Sequence, residues 1–200
     1  MTINDPRGVG WFDRAPGVDR HFRRLDDQLR GLGPLVDHCE GAAVLDLGCA
    51  EGLIGFWLLE NGAAHLDGVE VVPERVERAR ALAAALPAGK SARFHQCWLE
   101  GFAKKPPEGL RPAYEVVLLL SIAQKLPRPR AFVIAAARRC SKVIAVRQPD
   151  PVIRDRRSEF APCDVPGLLR EEGFRPLGEE QRLSNDRGEQ HEWLGLFRRC

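Results

Sequence analysis

The chain lacks the residue patterns that mark metal binding, disulfide scaffolding or membrane insertion. Its six cysteines (Cys39, Cys49, Cys97, Cys140, Cys163, Cys200) fall at wide, irregular intervals with no CxxC pair. Neither a zinc site nor a small disulfide framework is indicated, and reduced thiols are expected. The five histidines include no HxxxH or HExxH pair to set two ligands on one helical face, so no metal is expected. Long apolar runs are missing too: Val116 to Leu120, with Ile122 and Ala123 behind, falls well short of the roughly 20 residues that cross a bilayer. Asn4, Asp5, Pro6 and Arg7 stand where a secretory signal would place apolar residues, so a cytoplasmic protein without membrane association is expected. Net charge is low, at +2, and gives no global footprint for nucleic acid. Arg14, Arg20, Arg23, Arg24 and Arg30 do gather near one end, a weak pointer to a polyanion.

What is present is the composition of one ordinary domain: 200 residues, 44% hydrophobic and 29% charged. Val18, Phe22, Leu25, Leu29 and Leu32 recur at helical intervals and predict an amphipathic helix, stopped by Gly31, Gly33 and Pro34. A second helical turn is expected over Leu35 to Cys39. Residues 1–40 thus read as a helical extension that caps the sheet or serves as a lid, offering Trp11 and Phe12, and residues 41–200 as the main domain.

From Ala42 onward, short apolar runs alternate with helical stretches, the order that builds a parallel sheet covered on both faces. Strands are expected at Ala43 to Leu47, His65 to Val71, Ala92 to Gln96, Tyr114 to Leu120 and Ser141 to Arg147. Helices are expected at Gly52 to Asn61, Pro73 to Ala85, Pro127 to Cys140 and Val165 to Glu172. Strands at Phe174 to Arg182 and His191 to Arg198, joined by the polar Ser184 to Glu189 with its Gly188, form an antiparallel hairpin. The fold class is therefore α/β: a three-layer sandwich around a seven-stranded, mostly parallel sheet.

Val44-Leu45-Asp46-Leu47-Gly48-Cys49-Ala50-Glu51-Gly52 reads as a buried strand running through a glycine turn into a helix. Gly48 and Gly52 let the backbone bend sharply and a ligand approach its N–H groups. In an open α/β sheet that turn lies where ligands bind. The second strand ends Gly68-Val69-Glu70-Val71, which sets a carboxylate beside the turn, suited to ribose hydroxyls, so a nucleoside is implied.

Asp46-Leu47-Gly48-Cys49-Ala50-Glu51-Gly52 with Glu70 resembles the first two motifs of the class I S-adenosylmethionine-dependent methyltransferases, and Ala42 to Cys200 is similar to that family in element order. The resemblance implies S-adenosylmethionine as cofactor and S-adenosylhomocysteine as product. It places Asp46 and the Gly48, Cys49, Ala50, Gly52 turn at the methionine moiety, Glu70 at the ribose and Val71 against the adenine. The family often has an acid after the third strand, where this chain has Trp98. Trp98 is read either as a ring stacked over the adenine, with the Leu99 N–H meeting a ring nitrogen, or as an ordinary core aromatic. In the family the segment after the fourth strand lines cofactor and substrate, which makes Ser121 and Gln124 candidates.

Neither Asp-Pro-Pro-Tyr nor Asn-Pro-Pro-Tyr is present, which disfavours amino methylation of adenine or glutamine. Ala161-Pro162-Cys163 is similar to the proline-cysteine pair of cytosine-5 enzymes but follows the fifth strand rather than the fourth. Methyl transfer requires no dedicated catalytic residue. Arg147, Asp150, Glu159 and His191 lie where they could orient or deprotonate an acceptor, and no catalytic residue is assigned. The acceptor is not identified, with a small molecule slightly favoured over RNA or protein. Two rival readings remain: a non-catalytic cofactor-binding or scaffold domain, and a nicotinamide-dependent oxidoreductase, whose GxGxxG differs from the GxxxGxxG of Gly48, Gly52 and Gly55.

Overall fold

The computed structural model describes residues 28–149, 163–184 and 191–200. Five parallel strands form first: β1 (Ala43–Leu47), β2 (His65–Glu70), β3 (Ser91–Gln96), β4 (Tyr114–Leu120) and β5 (Cys140–Pro149). β1 and β2 are buried along their whole length, as strands covered on both faces must be. β6 (Phe174–Pro176), β7 (Gln181–Ser184) and β8 (His191–Arg199) complete an eight-stranded sheet of order β3-β2-β1-β4-β5-β8-β6, with β7 also paired to β8. β8 runs antiparallel to β5, β6 and β7.

The strand expected over Phe174 to Arg182 is divided in two. β6 and β7 lie successively along one edge of β8, Phe174 opposite Arg199 and Gln181 opposite Leu194. The interruption follows Pro176, which has no N–H to donate, and contains Gly178. Leu177 N still reaches Leu196 O at 2.7 Å, so the edge bends rather than leaves the sheet. The seven expected strands are therefore eight, and the antiparallel hairpin is β7–β8.

Alternate side chains of the strands fill two cores. On one face Val44, Leu66, Val116, Leu118, Val143 and Ala145 meet α1 (Leu53–Glu60) and α2 (Pro73–Ala83). On the other, Leu45, Leu47, Val117, Leu119, Ile144 and Val146 meet α3 (Pro129–Arg139) and α4 (Val165–Glu171). At about 25 cal/mol per Å² of apolar surface, this burial drives the three-layer assembly. Leu32 and Leu35 join the first core from a short 3-10 helix, Gly33–His38, so the end of the N-terminal extension is built into the domain. The rest of the expected helix from Val18, together with Trp11, Phe12 and the arginines up to Arg24, lies outside the described residues, as do Asp150, Glu159, Ala161 and Pro162.

β2 stops at Glu70 because the Glu70 side chain, not β3, takes the next two backbone donors: Val71 N at 2.8 Å and Val72 N at 3.0 Å. α1 begins at Leu53 because Gly52 adopts a left-handed φ of 79°. No helix among the described residues is long and apolar enough to cross a membrane.

Candidate active site

The glycine turn leaves β1 at the carboxyl edge of the sheet and stays tied to β2: Gly48 N and Cys49 N both donate to Val69 O, at 2.8 and 3.1 Å. Gly48, Ala50 and Gly52 take positive φ values of 84°, 49° and 79°. A Cβ on Gly48 would lie 2.9 Å from Ile122 Cγ1, and one on Gly52 would lie 2.7 Å from Phe94 Cε1, so these positions exclude side chains sterically as well as conformationally. Gly68 in β2 lets the Phe94 ring lie over the strand, since a Cβ there would sit 2.5 Å from Phe94 Cδ1.

Glu70, 6% exposed, closes the turn. Its Oε2 accepts from Ala50 N at 3.0 Å, while Oε1 accepts from Val71 N and Val72 N. Asp46 is 4% exposed, and burial, reinforced by the negative charge of Glu70, pushes its carboxyl up to about 7. Cys49 is buried, its Sγ directed at Ala50 O, and burial first, then the neighbouring carboxylates, push the thiol well up and keep it protonated. Val71 is half-buried next to Glu70.

Trp98 is 71% exposed, so the core-aromatic reading is overturned. Leu99 behind it takes the core position instead, at 6% exposure, and starts a 3-10 helix over Leu99–Gly101. Because Cys97 N donates to Glu70 O at 2.9 Å, the segment carrying Trp98 is moored at the end of β2, next to the acid.

Ser121 follows β4 with φ 54°; it and Ala50 are the non-glycine residues with positive φ among those described. Such a backbone costs on the order of 1–3 kcal/mol and persists where the surroundings enforce it, commonly at functional sites. Here Ser121 N donates to Arg147 O at 2.7 Å and Ile122 packs over Gly48, so the β4 tip is locked against both β5 and the glycine turn.

The structure thus brings Asp46, Gly48, Cys49, Ala50, Gly52, Glu70 and Val71 together, with Trp98 and Leu99 on one side and Ser121 on the other. Arg147 is buried and directed at the N-terminal segment, its Nη2 donating to Arg30 O at 2.8 Å. Gln124 sits in a 3-10 turn after Ser121, its Oε1 buried without a hydrogen-bond partner among the described residues. Sequence reasoning passed over Glu192 in favour of its neighbour His191. Alternation along β8 carried the signal: Glu192 shares a face with Leu194 and Leu196, at the end of an antiparallel strand that starts where the parallel ones finish.

The fold is similar to that of solved methyltransferases. An N-methyltransferase from Bradyrhizobium japonicum, crystallised with S-adenosyl-L-homocysteine, superposes with a TM-score of 0.70 at 15% identity, covering 98% of this chain and 94% of that one. The chain has the class I methyltransferase fold. A magnesium protoporphyrin IX methyltransferase from Synechocystis PCC 6803 with bound S-adenosylmethionine gives a TM-score of 0.66 at 17% identity, covering 100% of this chain and 88% of that one. In sequence, the chain is 27% identical over 150 residues to a ubiquinone biosynthesis O-methyltransferase of Neisseria meningitidis, covering 72% of this chain and 55% of the relative. The chain spans about half the length of the curated relatives it matches. No family model matches.

Proposed function

We propose that the chain is an S-adenosylmethionine-dependent methyltransferase that methylates a hydroxyl of a small molecule, with S-adenosylhomocysteine as the other product. The observation that carries this reading is the Glu70 carboxylate, fixed by three backbone N–H groups at the mouth of a strained glycine turn. A carboxylate buried for structural reasons alone would be satisfied by such donors. This one lies at the carboxyl tip of β2, next to a half-buried valine and an exposed indole, and together these suit a ribose and a purine. The hydroxyl acceptor is supported by the O-methyltransferase name of the sequence relatives.

The residues fit the cofactor. Glu70 would hold the ribose, Val71 and Trp98 would enclose the adenine, and Asp46 with the Gly48, Cys49, Ala50, Gly52 turn would meet the methionine moiety, with Leu99 N and Ser121 at the two margins. A carboxylate offers about four lone-pair sites. Three are already used by Ala50, Val71 and Val72. Glu70 therefore has room for one strong hydroxyl bond, and taking both ribose hydroxyls requires the Ala50 N–H to turn away. Asp46, pushed up to about 7, changes charge near neutrality, so the charge it presents to an ammonium group is adjustable by binding. When bound, the cofactor supplies a methyl group activated on a sulfonium. The task of the protein is then to exclude water and align the acceptor, which the locked β4 tip serves.

Calorimetric titration with S-adenosylmethionine, S-adenosylhomocysteine and NAD tests the reading. Binding of the first two without NAD is expected. Binding of NAD alone favours the oxidoreductase, and binding of S-adenosylmethionine with no turnover of any hydroxyl acceptor favours a scaffold that kept only the fold.

A further inference from the structure

Glu192 lies at the carboxyl edge of the sheet, opposite Pro149 of β5 and Leu183 of β7. Among the described residues two side-chain contacts hold it, both long. Ser121 Oγ donates to its Oε1 at 3.4 Å, and Arg147 Nε stands 3.8 Å from its Oε2, beyond hydrogen-bond reach. The Arg147 side chain is 7% exposed, and its buried Nε has no hydrogen-bond partner among the described residues, while the Glu192 side chain is 36% exposed. A buried guanidinium N–H left unsatisfied is costly. Glu192 is therefore held loosely beside a buried cation, with part of its carboxylate open at the carboxyl edge of the sheet. Ser121 connects it to the proposed cofactor site, because its neighbour Ile122 packs on Gly48.

We propose that Glu192 is the proton acceptor for the methyl acceptor's hydroxyl, with Arg147 and Ser121 as positioning residues. This rests on the methyltransferase reading above. In the step, the acceptor oxygen forms a bond to the methyl carbon, the carbon–sulfur bond breaks with its electron pair going to sulfur, and the hydroxyl proton passes to Glu192. A carboxylate is competent because a hydroxyl oxygen becomes strongly acidic as its new bond forms. Among the described residues the charged group facing Glu192 is Arg147 from β5, itself next to Arg30; β4 supplies the Ser121 hydroxyl and β7 the apolar Leu183.

Catechol and 3-alkylcatechols are the probes, with Glu192→Gln and Glu192→Asp as variants. In Glu192→Gln, S-adenosylhomocysteine should bind within about threefold of wild type, while binding of the catechol to that binary complex weakens roughly tenfold or more. Its kcat should fall by about 10²–10⁴ and recover as pH approaches the ionisation of the phenol near 10. Glu192→Asp should regain part of both losses. Catechol affinity and kcat in Glu192→Gln within twofold of wild type would overturn the assignment, as would a loss with no recovery at high pH. Failure of the wild type to bind S-adenosylhomocysteine is a distinct result, and removes the methyltransferase reading itself.

Discussion

Tyr114 donates its phenolic hydroxyl to Asp67 Oδ2 at 2.6 Å, joining β4 to β2 across the intervening β1. The Asp67 side chain is 0% exposed and is also met by Arg93 Nε at 2.9 Å and Nη2 at 3.0 Å, His65 Nε2 at 3.0 Å and His95 Nε2 at 3.5 Å. Burial alone would raise its carboxyl, but hydrogen bonds from His65, His95, Arg93 and Tyr114 outweigh it and hold Asp67 well below the usual carboxylate range.

The sign of the consequence follows from the lowered value. A carboxyl that binds its proton less readily when folded contributes stability above its unfolded pKa of about 3.9, and loses it as pH falls further. Tyr114→Phe removes one of the hydrogen bonds to Asp67 and leaves the Arg111 N–H without its phenol acceptor, and should cost roughly 1–3 kcal/mol in urea unfolding at pH 7. The deficit should persist at pH 3, where Arg93, His65 and His95 still keep Asp67 ionised in both folded proteins, and shrink only in stronger acid that protonates it in the variant. A deficit under about 0.3 kcal/mol at pH 7 would show that the remaining donors satisfy Asp67 without the phenol.

Asp46 behaves in the opposite direction. Its carboxyl is raised to about 7 by burial and by Glu70, so it resists losing its proton in the fold. Between about 4, where the unfolded chain ionises, and about 7, rising pH therefore costs stability. Asp46→Asn, neutral throughout, should melt higher than wild type at pH 7.5, by roughly 2–4 °C for each kcal/mol relieved, with the difference closing toward pH 4. The same variant should bind S-adenosylmethionine more weakly, trading ligand affinity for stability. Melting curves across this range, beside calorimetry, check both halves.

Glu70→Gln tests the ribose contact without emptying the site. The amide turns a donor toward one of the three backbone N–H groups now satisfied by the carboxylate. S-adenosylhomocysteine affinity should fall about 10–100-fold, as for loss of a charge-assisted bond, with a modest drop in melting temperature. Retained affinity would assign Glu70 to turn architecture alone.

Much of this was legible in the sequence, for reasons visible in individual residues. β4 runs over Tyr114–Leu120 as expected because an apolar run of that length, bounded by Pro112 and Ser121, suits a strand buried on both faces. Glu70 was placed at its strand tip because the Gly48-to-Gly52 turn locates the carboxyl edge. The Asp67 cluster escaped notice because its members come from three strands and no local pattern links them. The division of Phe174 to Arg182 was signalled by Pro176 and Gly178 but outweighed by the flanking β-formers. Trp98 could not be settled by composition, since whether an aromatic is buried depends on what packs over it.

That exposed indole yields the last prediction. Trp98 is 71% exposed while Leu99 next to it carries the core contact. Removing an exposed side chain should leave folding almost untouched, within about 0.5 kcal/mol. If the ring covers the adenine, Trp98→Ala should weaken S-adenosylhomocysteine binding by about tenfold, the scale of a stacking contact of roughly 1–3 kcal/mol per base. Trp98→Phe should recover part of that loss because a smaller ring still stacks. Equal affinities for wild type and Trp98→Ala, with equal melting temperatures, would detach Trp98 from the cofactor.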